Sequence, residues 1–385
     1  MAAQPLNIFM LAGESSGDAM GGDILRALKD DGRALHITGV GGSRMIAQGL
    51  NPIFPMEELT VFGFLQAIKA YKRLKQRGEE LTRHIIASKP DVIVTIDCKG
   101  FSLQLGKMLK KAMEQEGWTA PIVHLVAPTV WAWGSWRAKS VGKSVDRLLC
   151  LFPFEVPYFT PYGVDAVAVG HPSKDIVRPS KKTARQELKL NHEDQVVGLF
   201  PGSRRREIES LLPLMISASA ELHAANPRLK FILPTADTVA GSIEKMTAAH
   251  PHIQLVPQAK SGAVMAASDY GLICSGTVTL ETALSGLNGH IYYQADLLTT
   301  MIAKLVFDIS KLVLANAVSG EEIYQFSVNK EATSDHMVKA VTNYFSRDFP
   351  DQPEDGDIKT RLAKSMAAGD QTFGQNTANA IKDML

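Results

Sequence analysis

Carboxylates, hydroxyls and glycines recur in this 385-residue sequence directly after short apolar runs. That is the pattern of loops holding reactive groups at the edge of a parallel sheet. Ala12-Gly13-Glu14-Ser15-Ser16-Gly17-Asp18 follows one such run and precedes a helical pattern over Ala19–Leu28. Its glycines allow a tight turn, and the amides of a helix start can receive an anion or a sugar hydroxyl. The plainer alternative is a turn in which Asp18 caps the helix. Asp97 ends the run Val92–Ile96, where a carboxylate can accept a proton from a hydroxyl nucleophile. The competing reading bonds it to neighbouring loop amides.

Phe200-Pro201-Gly202-Ser203-Arg204 precedes a helix predicted over Glu207–Leu222. A Gly-Ser turn at a helix start beside an arginine suits a diphosphate. Ser203 or the turn amides receive oxygens, and Arg204 offsets their charge. Ser275-Gly276-Thr277-Val278-Thr279-Leu280-Glu281 follows the run Tyr270–Cys274 and offers further amides and hydroxyls. Glu281 is about one turn into that helix, placed for a ribose diol; the alternative is a capped helix, with Ser275 or Thr277 as the cap. Two such loops in one half favour a nucleotide diphosphate over either loop alone.

Other signals are weaker. Gly13-Glu14-Ser15-Ser16-Gly17 is formally a Gly-x-Ser-x-Gly elbow, but on the first strand it has no earlier loop to supply a second oxyanion amide. In Gly39-Val40-Gly41-Gly42-Ser43-Arg44 an arginine replaces the third glycine of a dinucleotide fingerprint. Pro201–Arg204 lacks the Gly-Lys-Ser/Thr ending of a P-loop. Trp131 and Trp133 could wall a sugar or acyl site or pack beneath one. No HExxH or CxxC spacing occurs, so no metal site is expected.

The elements that must position these groups read as two successive βαβ series. Strands are expected at Ile8–Leu11, Ile37–Val40, Val92–Ile96, Ile122–Val126, Arg147–Phe152 and Ala166–Val169. A second series is expected at Val196–Phe200, Lys230–Leu233, Ile253–Val256, Tyr270–Cys274 and His290–Tyr293. Their nearly continuous apolar character is that of strands covered on both faces. The polar segment Pro172–Asp194 between the series reads as a linker. The fold class is therefore α/β, with two facing Rossmann-like domains and a ligand cleft between their sheet edges. The expected divisions are residues 1–172, residues 173–349, and a helical segment 350–385 folding back onto the first domain. A formal net charge of +1 gives no global argument for nucleic-acid binding. Cys98, Cys150 and Cys274 lie in or beside apolar runs and read as reduced, buried cytoplasmic thiols. No apolar run reaches the length of a membrane span, and the first one ends too soon for a signal peptide.

Taken in order, the blocks AGESSGD (12–18), GVGGSRM (39–45), MEELTVFGF (56–64), PDVIVTID (90–97), APTVWAW (127–133), LFPFE (151–155), YGVDAVAVGHP (162–172), LFPGSRRREIE (199–209) and SGTVTLETAL (275–284) resemble the lipid-A-disaccharide synthase family. The resemblance implies a GT-B-like enzyme of Gram-negative outer-membrane biogenesis. Such an enzyme moves 2,3-diacylglucosamine from UDP-2,3-diacylglucosamine to 2,3-diacylglucosamine 1-phosphate, with inversion and without a cofactor. On this likeness Asp97 is the base on the acceptor 6-hydroxyl, while Glu14 and Ser16 line the cleft. Ser203, Arg204, Ser275, Gly276, Thr277, Glu281 and Asn316 would hold the UDP portion. The chain departs from the family pattern at Cys98-Lys99-Gly100-Phe101-Ser102, where a second Asp and an Asn are usual, and at Glu321, where an Arg is usual.

Both substrates are lipids, so contact with the anionic inner-membrane surface from the cytoplasmic side is expected. Val61, Phe62, Phe64, Leu65 and Ile68, followed by Lys69, Lys72, Arg73, Lys75 and Arg77, would form an interfacial helix. The alternative is a helix packed on its own domain. Oligomeric state stays open, a homodimer being one option. The rival functions are another GT-B-like UDP-sugar enzyme, such as a 2-epimerase or a different lipid glycosyltransferase, and an impaired homologue that binds without turnover.

Overall fold

Runs that are apolar on both faces of a strand can be satisfied only between layers of helix, and each such run here becomes a parallel strand. The computed structural model describes residues 5–30, 32–59, 64–132, 134–236, 239–294, 313–346 and 355–385. The chain divides into two compact units, Met1–Asp175 with Met366–Leu385, and Ile176–Ser365.

The first unit holds β1 (Leu6–Ala12), β2 (Leu35–Val40), β3 (Leu50–Pro52), β4 (Val92–Ile96), β5 (Ile122–Leu125), β6 (Arg147–Cys150) and β7 (Asp165–Ala168). They form one sheet in the order β3-β2-β1-β4-β5-β6-β7. The second holds β8 (Gln195–Phe200), β9 (Leu229–Thr235), β10 (Ile253–Pro257), β11 (Tyr270–Cys274), β12 (Asn288–Tyr293) and β13 (Gln325–Val328). Its order is β10-β9-β8-β11-β12-β13, again parallel throughout. In each sheet the order reverses direction between two central strands, β1 and β4 in one, β8 and β11 in the other. Loops leaving those strands are where ligands bind in open α/β sheets.

Every strand read from the sequence is present. The edge strands β3 and β13 carry too little continuous apolar character to stand out. Val126 ends β5 by turning to φ 78°, a conformation no β-strand uses. The segment Pro172–Asp194, expected as a linker, contains the change of unit but is mostly structured. Lys181–Glu187 is helical, and Arg185 is buried against Asp269 Oδ2 at 2.9 Å.

The first core is built from residues such as Phe9, Leu11, Ile93, Ile122 and Leu148, and the second from Val197, Leu199, Phe231, Leu272 and Tyr292. The helix Phe373–Lys382 packs on the helix Ser15–Lys29, at a point where Gly374 lets its backbone approach Asp23. Arg147 Nη1 donates to Ala380 O at 3.0 Å, tying the chain's last helix to the first sheet. No helix of the described residues is long and apolar enough to cross a membrane.

Candidate active site

Strand register brings the first pair of loops together. Ala12 pairs with Ile96, so Gly13-Glu14 and Asp97-Cys98 emerge side by side. Asp97 and Cys98 both adopt left-handed backbone, at φ 50° and 47°. Each such residue costs about 1–2 kcal/mol without a glycine, so the surroundings must hold the turn. Asp97 N–H donates to Leu125 O at 2.9 Å, and Ser102 Oγ donates to Asp97 O at 2.8 Å. Cys98 O receives the N–H groups of Phe101 and Ser102 as the helix Lys99–Glu116 begins. The backbone is over-determined and the side chain is not. Among the described residues only Lys99 Nζ approaches the Asp97 carboxylate, at 3.8 Å.

Glu14 occupies the N-cap position of the helix Ser15–Lys29 but makes no side-chain cap. Glu14, Ser15 and Ser16 are all exposed. Both acids sense one thiol. Burial pushes Cys98 up to about 12, and the Asp97 and Glu14 charges add to it. A Cβ on Gly13 would lie 2.8 Å from Cys98 Sγ, so glycine is what lets these two loops close on each other. Asp18 does cap a helix, but not its own. Its carboxylate accepts from Gly42, Arg44 and Met45 N–H at 2.8–3.0 Å, fastening the glycine cluster after β2 to the loop after β1.

The second pair of loops meets in the same way, since Ile273 pairs with Phe200. Pro201-Gly202-Ser203-Arg204 and Ser275-Gly276-Thr277 line a cavity of about 270 Å³ together with Glu207, Pro234, Gln258, Ser261, Cys274 and Glu281. Thr277 stands at an N-cap, yet its hydroxyl makes no capping bond. Glu281 is held above the usual carboxylate range by burial, against the opposing charge of Arg178. The Arg204 side chain is 80% exposed, with Nη1 3.1 Å from Glu207 Oε1. The cavity thus combines backbone amides, hydroxyls, one cation and two half-buried acids, Glu207 and Glu281. That set suits a phosphorylated ligand with a diol.

Most sequence-assigned residues fall into these two clusters: Glu14, Ser16 and Asp97 in the first unit, and Ser203, Arg204, Ser275, Gly276, Thr277 and Glu281 in the second. Asn316 does not line the cavity. Its Nδ2 donates to Tyr324 O at 2.8 Å and its Oδ1 accepts from Tyr324 N–H at 3.0 Å, a buried clamp on its own loop. Trp131 is packing rather than a wall: it is buried, with Nε1 donating to Glu155 Oε1 at 3.2 Å and Phe154 edge-on at 5.4 Å. Trp133, Val61 and Phe62 lie outside the described residues.

Tyr71, Lys72, Arg73 and Lys75 are exposed on the helix Phe64–Ser88. Arg77, read as part of the same basic rim, is instead paired with Glu58 and Glu80 and stacked over Phe54 at 4.5 Å.

Sequence reasoning missed Glu207 and the buried pair His124 and Glu155. Glu207 had a signal, an acid three residues beyond a helix start. Glu155 had the same signal, accepting from Phe152 N–H at 3.1 Å, whereas His124 had none, because its partner Thr95 is distant in sequence. His124 is fully buried, with Nδ1 2.8 Å from Thr95 Oγ1 and Nε2 without a partner among the described residues. Burial lowers it to about 3, with Lys99 adding to the shift.

A family model described as Lipid-A-disaccharide synthetase matches residues 8–366. The lipid-A-disaccharide synthase of Rhodospirillum centenum is 32% identical over 390 residues, covering 99% of this chain and 95% of that one. Solved structures share the fold at low identity. The glycotransferase of kitacinnamycin aligns with TM-score 0.61 and 15% identity, covering 100% of both chains. A UDP-GlcNAc 2-epimerase from Neisseria meningitidis, bound to UDP-GlcNAc, aligns with TM-score 0.56 and 12% identity over 98% of each. The architecture is GT-B-like, and it is common to transferases and epimerases. Fold alone therefore leaves those two classes together, and the match along the sequence separates them.

Proposed function

Because the chain belongs to the lipid-A-disaccharide synthase family and is a glycosyltransferase, we propose that it transfers 2,3-diacylglucosamine from UDP-2,3-diacylglucosamine to the 6-hydroxyl of 2,3-diacylglucosamine 1-phosphate. The observation that carries this reading is topological. The four loops that hold the candidate residues leave the two strands on either side of each sheet's switch point.

Asp97 serves as the general base. Its backbone is locked by Leu125 and Ser102, while its carboxylate stays open to a hydroxyl. As the acceptor oxygen bonds to the donor's anomeric carbon, its proton passes to Asp97 and the bond from that carbon to UDP breaks. No covalent enzyme intermediate is needed, so configuration inverts. Positioning of two reactants and stabilisation of the departing diphosphate supply the acceleration. Arg204 and the Ser275–Thr277 loop take up the developing charge on UDP, and Glu281 accepts from the ribose diol. Ser203 lies at the rim of this set, and Glu14 orients the acceptor beside Asp97.

Both lipids reach the enzyme from a bilayer. The exposed Lys72, Arg73 and Lys75 on the helix Phe64–Ser88 supply attraction to anionic headgroups, and Tyr71 supplies an amphipathic anchor. These residues support peripheral contact with the inner-membrane surface.

The test is direct: incubate the purified protein with both lipids in detergent and follow disaccharide phosphate by mass spectrometry, with Asp97→Asn alongside. Disaccharide from the wild type and a large loss in the variant are expected. Equal product from both would remove Asp97 as the base. No product from the wild type would sink the assignment of substrates.

A further inference from the structure

Two backbone amides of the candidate donor cavity already hold a carboxylate, and it belongs to the protein. Glu207 is the third residue of the helix Arg205–Ala225, and its side chain folds back over the helix start. Its Oε2 accepts from Ser203 N–H at 3.1 Å and from Arg204 N–H at 3.2 Å, while Oε1 accepts from Arg204 Nη1 at 3.1 Å. The turn is shaped around this carboxylate. Gly202 sits at φ 106°, and a Cβ there would collide with Glu207 Oε2. The same carboxylate lines the 270 Å³ cavity that the transfer reaction assigns to UDP.

A carboxylate and a phosphate cannot share two N–H donors, so one must yield. We propose that Glu207 is an internal stand-in for the donor's diphosphate. It occupies the Ser203 and Arg204 amides in the empty enzyme, swings out when the nucleoside diphosphate enters, and returns as UDP leaves. A diphosphate brings more charge and more oxygens than one carboxylate, so it wins the exchange. The exchange also frees Arg204, whose guanidinium is otherwise neutralised. Glu207 is thus a positioning residue that limits affinity for the phosphates and speeds product release. This rests on the donor reading of the cavity.

A mere helix cap would affect stability alone, whereas a competitor affects only ligands carrying phosphate. Calorimetric titration of the full chain with UDP and with uridine separates the two, using wild type, Glu207→Gln and Glu207→Ala. The expected result is UDP binding tightened by roughly three- to tenfold in Glu207→Ala, the span of an exchanged hydrogen-bond set. Uridine affinity should not change, and the gain in Glu207→Gln should be smaller. In turnover, donor KM and kcat should fall together as UDP release slows. Amide resonances of Ser203 and Arg204 in the wild type should move with UDP but not with uridine, which keeps the test intact if Glu207→Ala fails to fold. Variants that bind UDP no more tightly, or amides that do not respond to it, would reduce Glu207 to a cap while leaving the donor site standing. A wild type that binds no UDP would remove the donor site and this inference together.

Discussion

The two sheets share a topology and a switch point, yet the loops at those points solve opposite problems. In the first unit the chain accepts two left-handed, non-glycine residues, Asp97 and Cys98, to hold out a carboxylate that among the described residues only Lys99 approaches. In the second it uses a glycine, Gly202, to make an unstrained turn whose amides are filled by Glu207. A base must be rigid and must not be satisfied by its own protein, or it has no affinity left for a proton. A phosphate cradle faces the reverse requirement. Unsatisfied amides are costly, so they are paired until an exchangeable ligand arrives. One loop therefore carries strain, and the other carries a replaceable bond.

The sharpest way to break this comparison is Asp97→Asn. Disaccharide formation should fall by about a hundred- to ten-thousandfold, the range for loss of a general base. UDP affinity and melting temperature should hold, because the turn is kept by the backbone. A parallel fall in melting temperature would mean that the carboxylate itself holds the turn.

Reversal of Lys72, Arg73 and Lys75 to Glu tests whether lipid contact belongs to the first unit. At about 1 kcal/mol per basic residue, flotation with anionic vesicles should drop by roughly a hundredfold. Activity in detergent should be unaffected, and undiminished flotation would move the membrane face elsewhere. Gly202→Ala probes the second loop. Forcing a Cβ into φ 106° should cost about 1–3 kcal/mol, read as a melting point several degrees lower.

A pH-dependent effect concerns the buried acid Glu155. Burial raises Glu155 from 4.5 to about 7, against the Phe152 amide, the Trp131 indole and the Lys99 charge. A carboxyl raised on folding binds its proton more tightly in the folded state, so it supports the fold at low pH. That support is lost as pH climbs through the window from 4.5 to about 7. Relative to Glu155→Gln, the wild type should lose at most about 1.4 kcal/mol per pH unit across that window and nothing further above it. Thermal melts at a series of pH values check this; a constant difference between the two proteins would count against an ionising Glu155.

Much of this molecule is written locally. Continuous apolar runs such as Val92–Ile96 and Tyr270–Cys274 become strands with those bounds, because no other element buries both faces of so short a run. The loops that follow such strands are marked in the sequence by glycine and charge, and the fold puts Glu14, Asp97, Arg204 and Glu281 in or just after them. Tertiary structure decided which of those groups remain available. Asp18 caps a neighbouring loop's helix, Asn316 closes on Tyr324, Trp131 turns inward to Glu155, and Arg77 is taken by Glu58 and Glu80. Most of these partners are distant in sequence, and a hydrogen bond is decided by distance in space. Residue type sets what a side chain can do; its folded neighbours set whether it is free to do it.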